Sequence, residues 1–115
     1  MSKVSINAKI DFILEMIENI EKIIKRHSGI VKALDDYEGQ MALMMGLLQI
    51  GESLHKIDKS YLDKFNLSED TKGAYNVRNF IAHDYDGVNM VVIEDILRLY
   101  VPKLKDKVLK MKEEF

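Results

Sequence analysis

The stretch VSINAKIDFILEMIENIEKIIKRH, residues 4–27, decides the fold, because its apolar residues recur at steps of three and four. Such spacing places them along one side of an α-helix. The apolar stripe comprises Ile6, Ile10, Ile13, Leu14, Ile17, Ile20 and Ile24. Further apolar residues widen this side, so we expect the helix to be buried both against its own domain and against a partner. These residues are Phe12, Met16 and Ile23.

Basic residues crowd the end of this first helix. Lys22, Lys25, Arg26 and His27 fall in its last turns, where cations interact favourably with the helix dipole. We interpret the cluster as a solvated helix end, and we expect the helix to stop at Gly29.

A second long helix is predicted at roughly 36–57, with Asp35 or Asp36 as its N-cap. Gly46 and Gly51 lower its helix propensity, but they would allow another helix to approach closely. Three methionines in one turn are interpreted as core residues, with an adaptable interface as the alternative. They are Met41, Met44 and Met45.

A third helix is predicted at roughly 69–83, where Ser68 can act as the N-cap. The segment before it, 58–70, is expected to be a loop with one short turn at most. After the third helix, Asp and Gly residues at 84–87 indicate a break, since both tolerate turn geometry.

The last part of the chain is predicted to be helical as well. Asn89 can cap a fourth helix that reaches Tyr100. Pro102 either kinks this helix or begins a fifth one, which ends near Glu113. The sequence thus predicts an all-α fold, an antiparallel bundle of four to five helices in a single domain, 1–115.

Composition excludes several classes of protein. Apolar residues make up 47% of the 115 residues, which is enough for one modest core. The chain has no cysteine, so disulfides, cysteine-based zinc sites and thiol catalysis are excluded. No apolar run approaches the ~20 residues that span a bilayer, and no signal-peptide pattern is recognisable. We therefore expect no membrane association and a cytoplasmic location.

The charge balance limits how the chain can contact nucleic acid. It carries 17 basic and 19 acidic residues, with a net charge of −2. General nucleic-acid binders usually have a basic excess, because phosphate neutralisation supplies most of their non-specific affinity. We expect no DNA partner, and we expect any RNA contact to be local, at a cleft shared by two subunits.

The segment RNFIAHDY, residues 78–85, carries the strongest functional signal. Arg78 is charged at any physiological pH and can hold two phosphate oxygens in a fork. His83 belongs to the residue type with an ordinary pKa of about 6.5, which both accepts and gives protons near neutrality. Together they are suited to bind or cleave a phosphodiester without a metal.

The spacing of these two residues favours a dimer. Positions five apart lie about 140° around a regular helix, so the two side chains cannot both point at one small ligand from mid-helix. The geometry improves if His83 lies at the frayed end of the helix. It improves further in a homodimer, where two copies of Arg78 and His83 line one groove.

The chain resembles the HEPN family, specifically the toxin branch encoded beside a minimal nucleotidyltransferase. The resemblance rests on the pattern R-x-x-x-x-H-x-Y at residues 78–85, on HDYDGV at 83–88 and on IGE at 50–52. It covers nearly the whole chain, because the expected helical layout fits as well. It implies an endoribonuclease toxin that acts without a metal at a dimer cleft.

The resemblance assigns roles to five residues. His83 would take the proton from the ribose 2′-hydroxyl or protonate the leaving 5′-oxygen, and Arg78 would stabilise the phosphate charge. Asn79 would bind a phosphate oxygen or fix the histidine ring. Asp84 would polarise or restrain His83, and a solvated carboxylate is an equally compatible interpretation. Glu52 would orient the arginine or the histidine. The expected substrate is RNA, possible classes being tRNA and mRNA, and the expected product is a 2′,3′-cyclic phosphate.

Tyr85 is the expected point of control. In the branch that this chain resembles, the matching tyrosine receives AMP from the partner nucleotidyltransferase, which acts as the antitoxin. A bulky anionic adduct two residues from His83 would block the cleft and repel RNA phosphate.

Two other interpretations stay open. In a purely structural one, Arg78 pairs with Glu52 or Asp84, and His83 simply caps a helix. In the other, the chain is a non-catalytic HEPN domain that binds a nucleotide or docks a substrate for a nucleotidyltransferase. The intact motif favours the ribonuclease, because a docking module has no need for a titrating histidine beside the arginine.

No cofactor or metal site is expected from the sequence. The segment DYDG at 84–87 resembles part of a calcium loop, but placing Asp86 and Gly87 at positions five and six puts Ala82 at position one. The closing Glu94 then falls one position late. The three histidines lie on three different predicted helices.

Overall fold

The computed structural model describes residues 2–115, which are almost entirely helical and contain no strand. The helices are α1 (Lys3–Arg26), α2 (Ile30–Asp35), α3 (Tyr37–His55), α4 (Lys59–Lys64), α5 (Ser68–His83), α6 (Met90–Asp95) and α7 (Val101–Glu113). A 3₁₀ turn at Tyr85–Gly87 follows α5, and a π-helical turn at Ile96–Tyr100 joins α6 to α7. The predicted all-α bundle is confirmed.

Helices α1 and α3 pack antiparallel at close range. Gly46 lies against Ile20, so closely that an added Cβ would stand 2.9 Å from the Ile20 Cγ1. Further towards the end of α1, Gly39 lies against His27. Residue numbers increase along α3 as they decrease along α1, so the two helices are antiparallel. The short connection between them imposes this arrangement.

Helix α7 covers α1 from another side, also antiparallel. Lys105 forms an ion pair with Glu21 at 3.0 Å, and Lys112 forms one with Asp11 at 2.7 Å. Both pairs are partly exposed, so they define the register more than they stabilise the fold. The remaining long helix, α5, packs against α3.

The core follows the apolar stripe of α1. Its fully buried members are Ile6, Ile10, Ile13, Ile17 and Ile20. Leu14 and Ile24, on the edge of the stripe, are partly buried against the same core. Burial of large aliphatic side chains stabilises by roughly 1.5–3 kcal/mol each, so this stripe anchors the bundle. None of the helices in residues 2–115 is long and apolar enough to cross a membrane.

The N-cap of α3 is Asp36, which was one of the two residues predicted for this position; the other was Asp35. Its Oδ2 accepts a hydrogen bond from the backbone N–H of Gly39 at 2.9 Å. The sequence analysis missed the short helix α2 between the two long ones. It begins after Ser28 and Gly29, both of which have positive φ, and it is too short to show an apolar period.

The prediction of a loop at 58–70 was wrong, because Lys59–Lys64 forms α4. Leu62 of this helix is buried in the core, and that tertiary contact outweighs the weak local signal. Ser68 does not cap α5. It is the first helical residue, and its hydroxyl donates to the Asp63 carboxylate instead.

The methionine interpretation was correct for one residue of three. Met44 is buried, but Met41 and Met45 are 59% and 54% exposed. With Tyr37 they form an apolar stripe at steps of four on the outer side of α3. The stripe is therefore exposed, and its use as an adaptable interface stays a prediction.

The C-terminal helices are continuous through Pro102. Asn89 caps α6 as predicted, since its Oδ1 accepts from the backbone N–H of Val91 at 2.9 Å. The π-helical turn ends just before Pro102, which lies in the first turn of α7. A proline ring would clash with the carbonyl four residues earlier in a regular helix, and the wider turn relieves that clash without ending the helix.

Candidate functional site

Arg78 lies on the side of α5 that faces α3. Its side chain is only 25% exposed, and its Nε stands 2.5 Å from the Glu52 Oε1. The N–H is not aligned with that oxygen, so the contact is an ion pair rather than a good hydrogen bond. Glu52, also 25% exposed, lies 3.8 Å from the Lys56 Nζ through its other oxygen.

Gly51 allows the contact between Arg78 and Glu52, because it lets α5 approach α3 closely. An added Cβ at Gly51 would lie 2.5 Å from the Ala74 carbonyl oxygen and 2.9 Å from the Arg78 Cβ. The absence of a side chain therefore lets α5 touch the backbone of α3. Glu52, the next residue, is brought beside Arg78 as the sequence analysis expected, while its role in catalysis stays a prediction.

The guanidinium is also fixed on its other sides. Its Nη1 donates to the Asn79 Oδ1 at 3.0 Å, and its Cζ stands 5.5 Å from the centre of the Tyr75 ring. These contacts hold the planar group in one orientation. The Nη1–Asn79 bond is the only hydrogen bond that the guanidinium donates within residues 2–115, so donors remain for a phosphate.

His83 is in a different environment. It is the last residue of α5 and is exposed, and it forms no hydrogen bond or ion pair within the described chain. Phe80, three residues earlier on the same side of the helix, is 64% exposed. His83 is thus a free imidazole beside an exposed aromatic ring.

The turn after α5 presents Tyr85. The Gly87 backbone N–H donates to the Asp84 carbonyl at 3.0 Å, and the Asp84 carboxylate folds over Gly87, where a Cβ would clash with it. No hydrogen bond joins Asp84 to His83 in residues 2–115, so restraint of the histidine by Asp84 stays a prediction. Tyr85 is 38% exposed, and its hydroxyl has no partner in the same range.

The structure therefore brings together only part of the predicted site. Glu52, Arg78 and Asn79 form one cluster, whereas the side chains of His83 and Tyr85 form no hydrogen bond or ion pair with it in residues 2–115. The helix is regular through His83, so the 140° separation that the spacing predicts is retained. The pairing of Arg78 with Glu52 was foreseen in both the catalytic and the purely structural interpretation.

The sequence analysis missed two residues beside this cluster. The rings of His55 and Tyr75 are stacked, with centres 3.7 Å apart and planes at 12°. The spacing of Tyr75 and Arg78, three apart on α5, could have indicated that these two side chains meet. The contact with His55 could not be foreseen, because it joins two helices.

A second histidine lies at the opposite end of α3. The His27 Nδ1 is 2.8 Å from the Ile23 carbonyl, and its Nε2 is 3.2 Å from the Asp36 Oδ2. The hydrogen bond to Ile23 and then the contact with Asp36 raise the pKa of His27 above its ordinary value, despite partial desolvation. Lys22, Lys25 and Arg26 are exposed, as expected of a solvated helix end, whereas His27 is only partly exposed because it contacts Asp36 at the start of α3.

Asp36 is the counterpart of this histidine. The hydrogen bond from the Gly39 backbone, followed by the contact with His27, lowers the pKa of the Asp36 carboxyl, although partial desolvation opposes the shift. The carboxylate therefore serves both as the cap of α3 and as the acceptor for His27. This cluster has no free donor or acceptor on the imidazole.

The bundle and the R-x-x-x-x-H-x-Y segment together define a HEPN-type domain. Residues 13–111 match the family model described as ribonuclease HepT-like. The chain therefore belongs to the ribonuclease HepT-like family. The match spans α1 to α7 and includes every predicted site residue.

One relative supports the same assignment at low identity. A protein of Methanocaldococcus jannaschii named "Putative RNase" is 28% identical over 93 residues, which are 79% of this chain and 76% of that protein. No solved structure gives a significant match. Family and relative agree on a ribonuclease-type domain.

Proposed function

We propose that this chain is an endoribonuclease that cleaves RNA at a groove between two copies, with Arg78 and His83 as its catalytic residues. The observation that carries the proposal is His83 itself. In a chain of a ribonuclease family, it is an exposed imidazole with no partner in residues 2–115. Its exposure leaves the imidazole accessible to a ligand, and histidine is the residue type that exchanges protons near neutral pH.

The reaction needs a base, an acid and a stabilising cation. One His83 takes the proton from the ribose 2′-hydroxyl, whose oxygen attacks the phosphorus. The 5′-oxygen leaves and takes a proton from the second His83, and a 2′,3′-cyclic phosphate results. Arg78 stabilises the charge on the phosphate oxygens, and its preset orientation against Glu52 and Asn79 reduces the entropy lost on binding.

A homodimer explains the exposed surface around the histidine. Phe80, on the same side of α5, would be covered by the second copy, and this would leave both His83 side chains at one groove. Two copies also supply the pair of imidazoles that one chain lacks. Sedimentation at micromolar concentration tests this proposal, and a Phe80→Asp variant should be monomeric and inactive. A monomeric wild type that cleaves RNA would contradict it.

Cleavage should continue in excess EDTA, because the proposed groups act without a metal ion. Arg78→Lys should lower the rate strongly, since an ammonium cannot reproduce the guanidinium fork. A wild type that is silenced by EDTA and restored by a divalent ion would contradict metal independence. An unchanged rate in Arg78→Lys would remove Arg78 from the mechanism.

We further propose that the chain is the toxin of a pair whose antitoxin is a minimal nucleotidyltransferase. The transferase would join AMP from ATP to the Tyr85 hydroxyl, with release of pyrophosphate and of the phenolic proton. The half-exposed position of Tyr85 in the turn supports access by a partner enzyme. The phosphodiester charge and the nucleotide would then exclude RNA from the groove.

Tyr85→Phe tests this form of control. It should keep any toxicity but escape neutralisation by the transferase, because the ring remains while the nucleophilic oxygen is gone. Intact-mass spectrometry after co-expression should show added AMP on the wild type and none on Tyr85→Phe. A mass shift that persists in the variant would place the modification elsewhere.

A non-catalytic domain that docks nucleotide for a transferase is the second candidate. The fixed orientation of the Arg78 guanidinium supports it, because this orientation suits phosphate binding without cleavage as well as with it. The two candidates differ in what His83→Ala changes. Loss of RNA cleavage supports the ribonuclease, whereas unchanged nucleotide binding with no cleavage by the wild type supports the docking domain.

A further inference from the structure

The stacked pair His55 and Tyr75 has no explanation in the proposed catalytic chemistry. Its ring centres are 3.7 Å apart at 12°, so the rings are almost parallel and in contact. One end of this stack reaches the guanidinium, because the Arg78 Cζ stands 5.5 Å from the Tyr75 ring centre. Tyr75 thus lies between His55 and Arg78, and the three side chains form a row along the surface where α3 and α5 meet, called the α3–α5 groove below.

The outer end of this row is open. Tyr75 is half-buried, whereas His55, the last residue of α3, is exposed. One face of the imidazole is covered by Tyr75, which leaves the other face available to a planar group. Aromatic faces of this kind stack nucleobases with little regard to sequence, because every base has a π-face.

The surroundings of His55 suit a phosphate backbone. Lys56 is 60% exposed at the edge of the same groove and lies near Glu52 at 3.8 Å. Lys59, at the start of α4, is also exposed. These two lysines, within four residues of His55 and beside the Glu52 and Asp58 carboxylates, are available to contact an RNA backbone locally on a chain whose net charge is −2.

We propose that His55 and Tyr75 form a base-stacking subsite that holds the nucleobase next to the phosphate bound by Arg78. The proposal rests on the proposed ribonuclease function, which it deepens by placing a single-stranded RNA ligand across α3 and α5. The base stacks on the open face of His55, and the adjoining phosphate reaches the guanidinium. Tyr75 packs against the opposite face of the imidazole and also contacts Arg78, so it fixes the position of each relative to the other.

Binding of two matched strands separates stacking from charge. A fluorescein-labelled oligoadenylate and an abasic ribose-phosphate strand of the same length carry the same phosphates, but only the first has bases. Fluorescence anisotropy is measured in a His83→Ala background, which prevents cleavage. The oligoadenylate should bind more tightly than the abasic strand, by roughly tenfold, the lower range of one base–aromatic stack.

Variants of His55 should remove only this difference. His55→Ala should weaken oligoadenylate binding roughly tenfold and leave the abasic strand unchanged. His55→Leu keeps an apolar contact with Tyr75 but lacks an aromatic face, so it should behave like His55→Ala while remaining folded. His55→Tyr should retain the affinity. Tyr37→Ala, an exposed aromatic at the far end of α3, is the matched control and should change neither strand.

The outcomes distinguish this subsite from the function on which it rests. Oligoadenylate binding that Arg78→Lys weakens, but that His55→Ala and His55→Leu leave unchanged, would overturn the subsite alone. Equal binding of the two strands would overturn it as well. A chain that binds neither strand and cleaves no RNA would overturn the ribonuclease proposal and the subsite together.

Discussion

Histidines of neighbouring helices lie in two regions around α3, and they differ in whether their ring nitrogens have protein partners. At the start of α3, the two ring nitrogens of His27 lie within hydrogen-bond distance of acceptors, the Ile23 carbonyl and the Asp36 carboxylate. Beside its other end, across the α3–α5 groove, Arg78 contacts Glu52, and His83 further along α5 has no partner in residues 2–115. The two histidines share a residue type and differ in their surroundings: His27 is partly buried with acceptors near both ring nitrogens, whereas His83 is exposed to solvent.

Removing each histidine should give the largest contrast. His83→Ala should lower RNA cleavage by about 10²-fold or more, the usual range for a lost general acid or base, with little effect on stability because the side chain is exposed. His27→Gln should leave the cleavage rate unchanged. Initial rates on single-stranded RNA measure both. Equal losses in the two variants would mean that the contrast between the clusters has no functional meaning.

Gly51 should be the most sensitive position for the geometry of the site. Gly51→Ala would place a Cβ 2.5 Å from the Ala74 carbonyl oxygen, so α5 must shift away from α3. Such overpacking costs about 1–3 kcal/mol, and the shift separates Arg78 from Glu52. Urea unfolding measures the first effect, and the cleavage rate measures the second.

Gly73 supplies the matched control on α5. An added Cβ there meets nothing within 4 Å, so Gly73→Ala should stabilise the chain by about 0.5–1 kcal/mol through higher helix propensity. Cleavage should not change. If both alanine variants destabilised the protein equally, the close approach of α5 to α3 at Gly51 would not be the cause of the destabilisation by Gly51→Ala.

The smallest expected effect is a pH dependence of stability from His27. Because folding raises the pKa of this imidazole, its contribution is fully present below the ordinary pKa of about 6.5 and is lost as the pH rises through the raised value. The melting temperature should therefore fall as the pH rises above about 6.5, and His27→Gln should reduce that fall. An identical pH profile in the variant would show that the contact with Asp36 contributes nothing measurable.

Asp36 gives the opposite sign at low pH. Its pKa is lowered in the fold, so its contribution is present above the ordinary carboxyl value and is lost as the pH falls through the lowered one. The His27–Asp36 contact is thus strongest between these two limits. Its cluster is a structural clamp on α1 and α3, in contrast to the open site beside α5.

The long helices could be predicted from the sequence, because their apolar residues keep a helical period over many turns. The cap at Asn89 could be predicted too, since capping depends on a side chain and its own neighbouring backbone, whereas Asp35 and Asp36 stayed alternatives at the start of α3. The residues Arg78, His83 and Tyr85 were found for the same reason: the signal lies within eight consecutive positions. Short helices such as Lys59–Lys64 were missed, because burial of Leu62 in the core stabilises them and local pattern does not.

Which of these side chains have a protein partner depends on the tertiary structure. The contact between Arg78 and Glu52 depends on how closely α5 approaches Gly51, and the stacking of His55 on Tyr75 joins two helices that are distant in sequence. The clamp on His27 likewise depends on the path of α2. Distances between helices follow from packing of the whole core, and no local pattern carries that information.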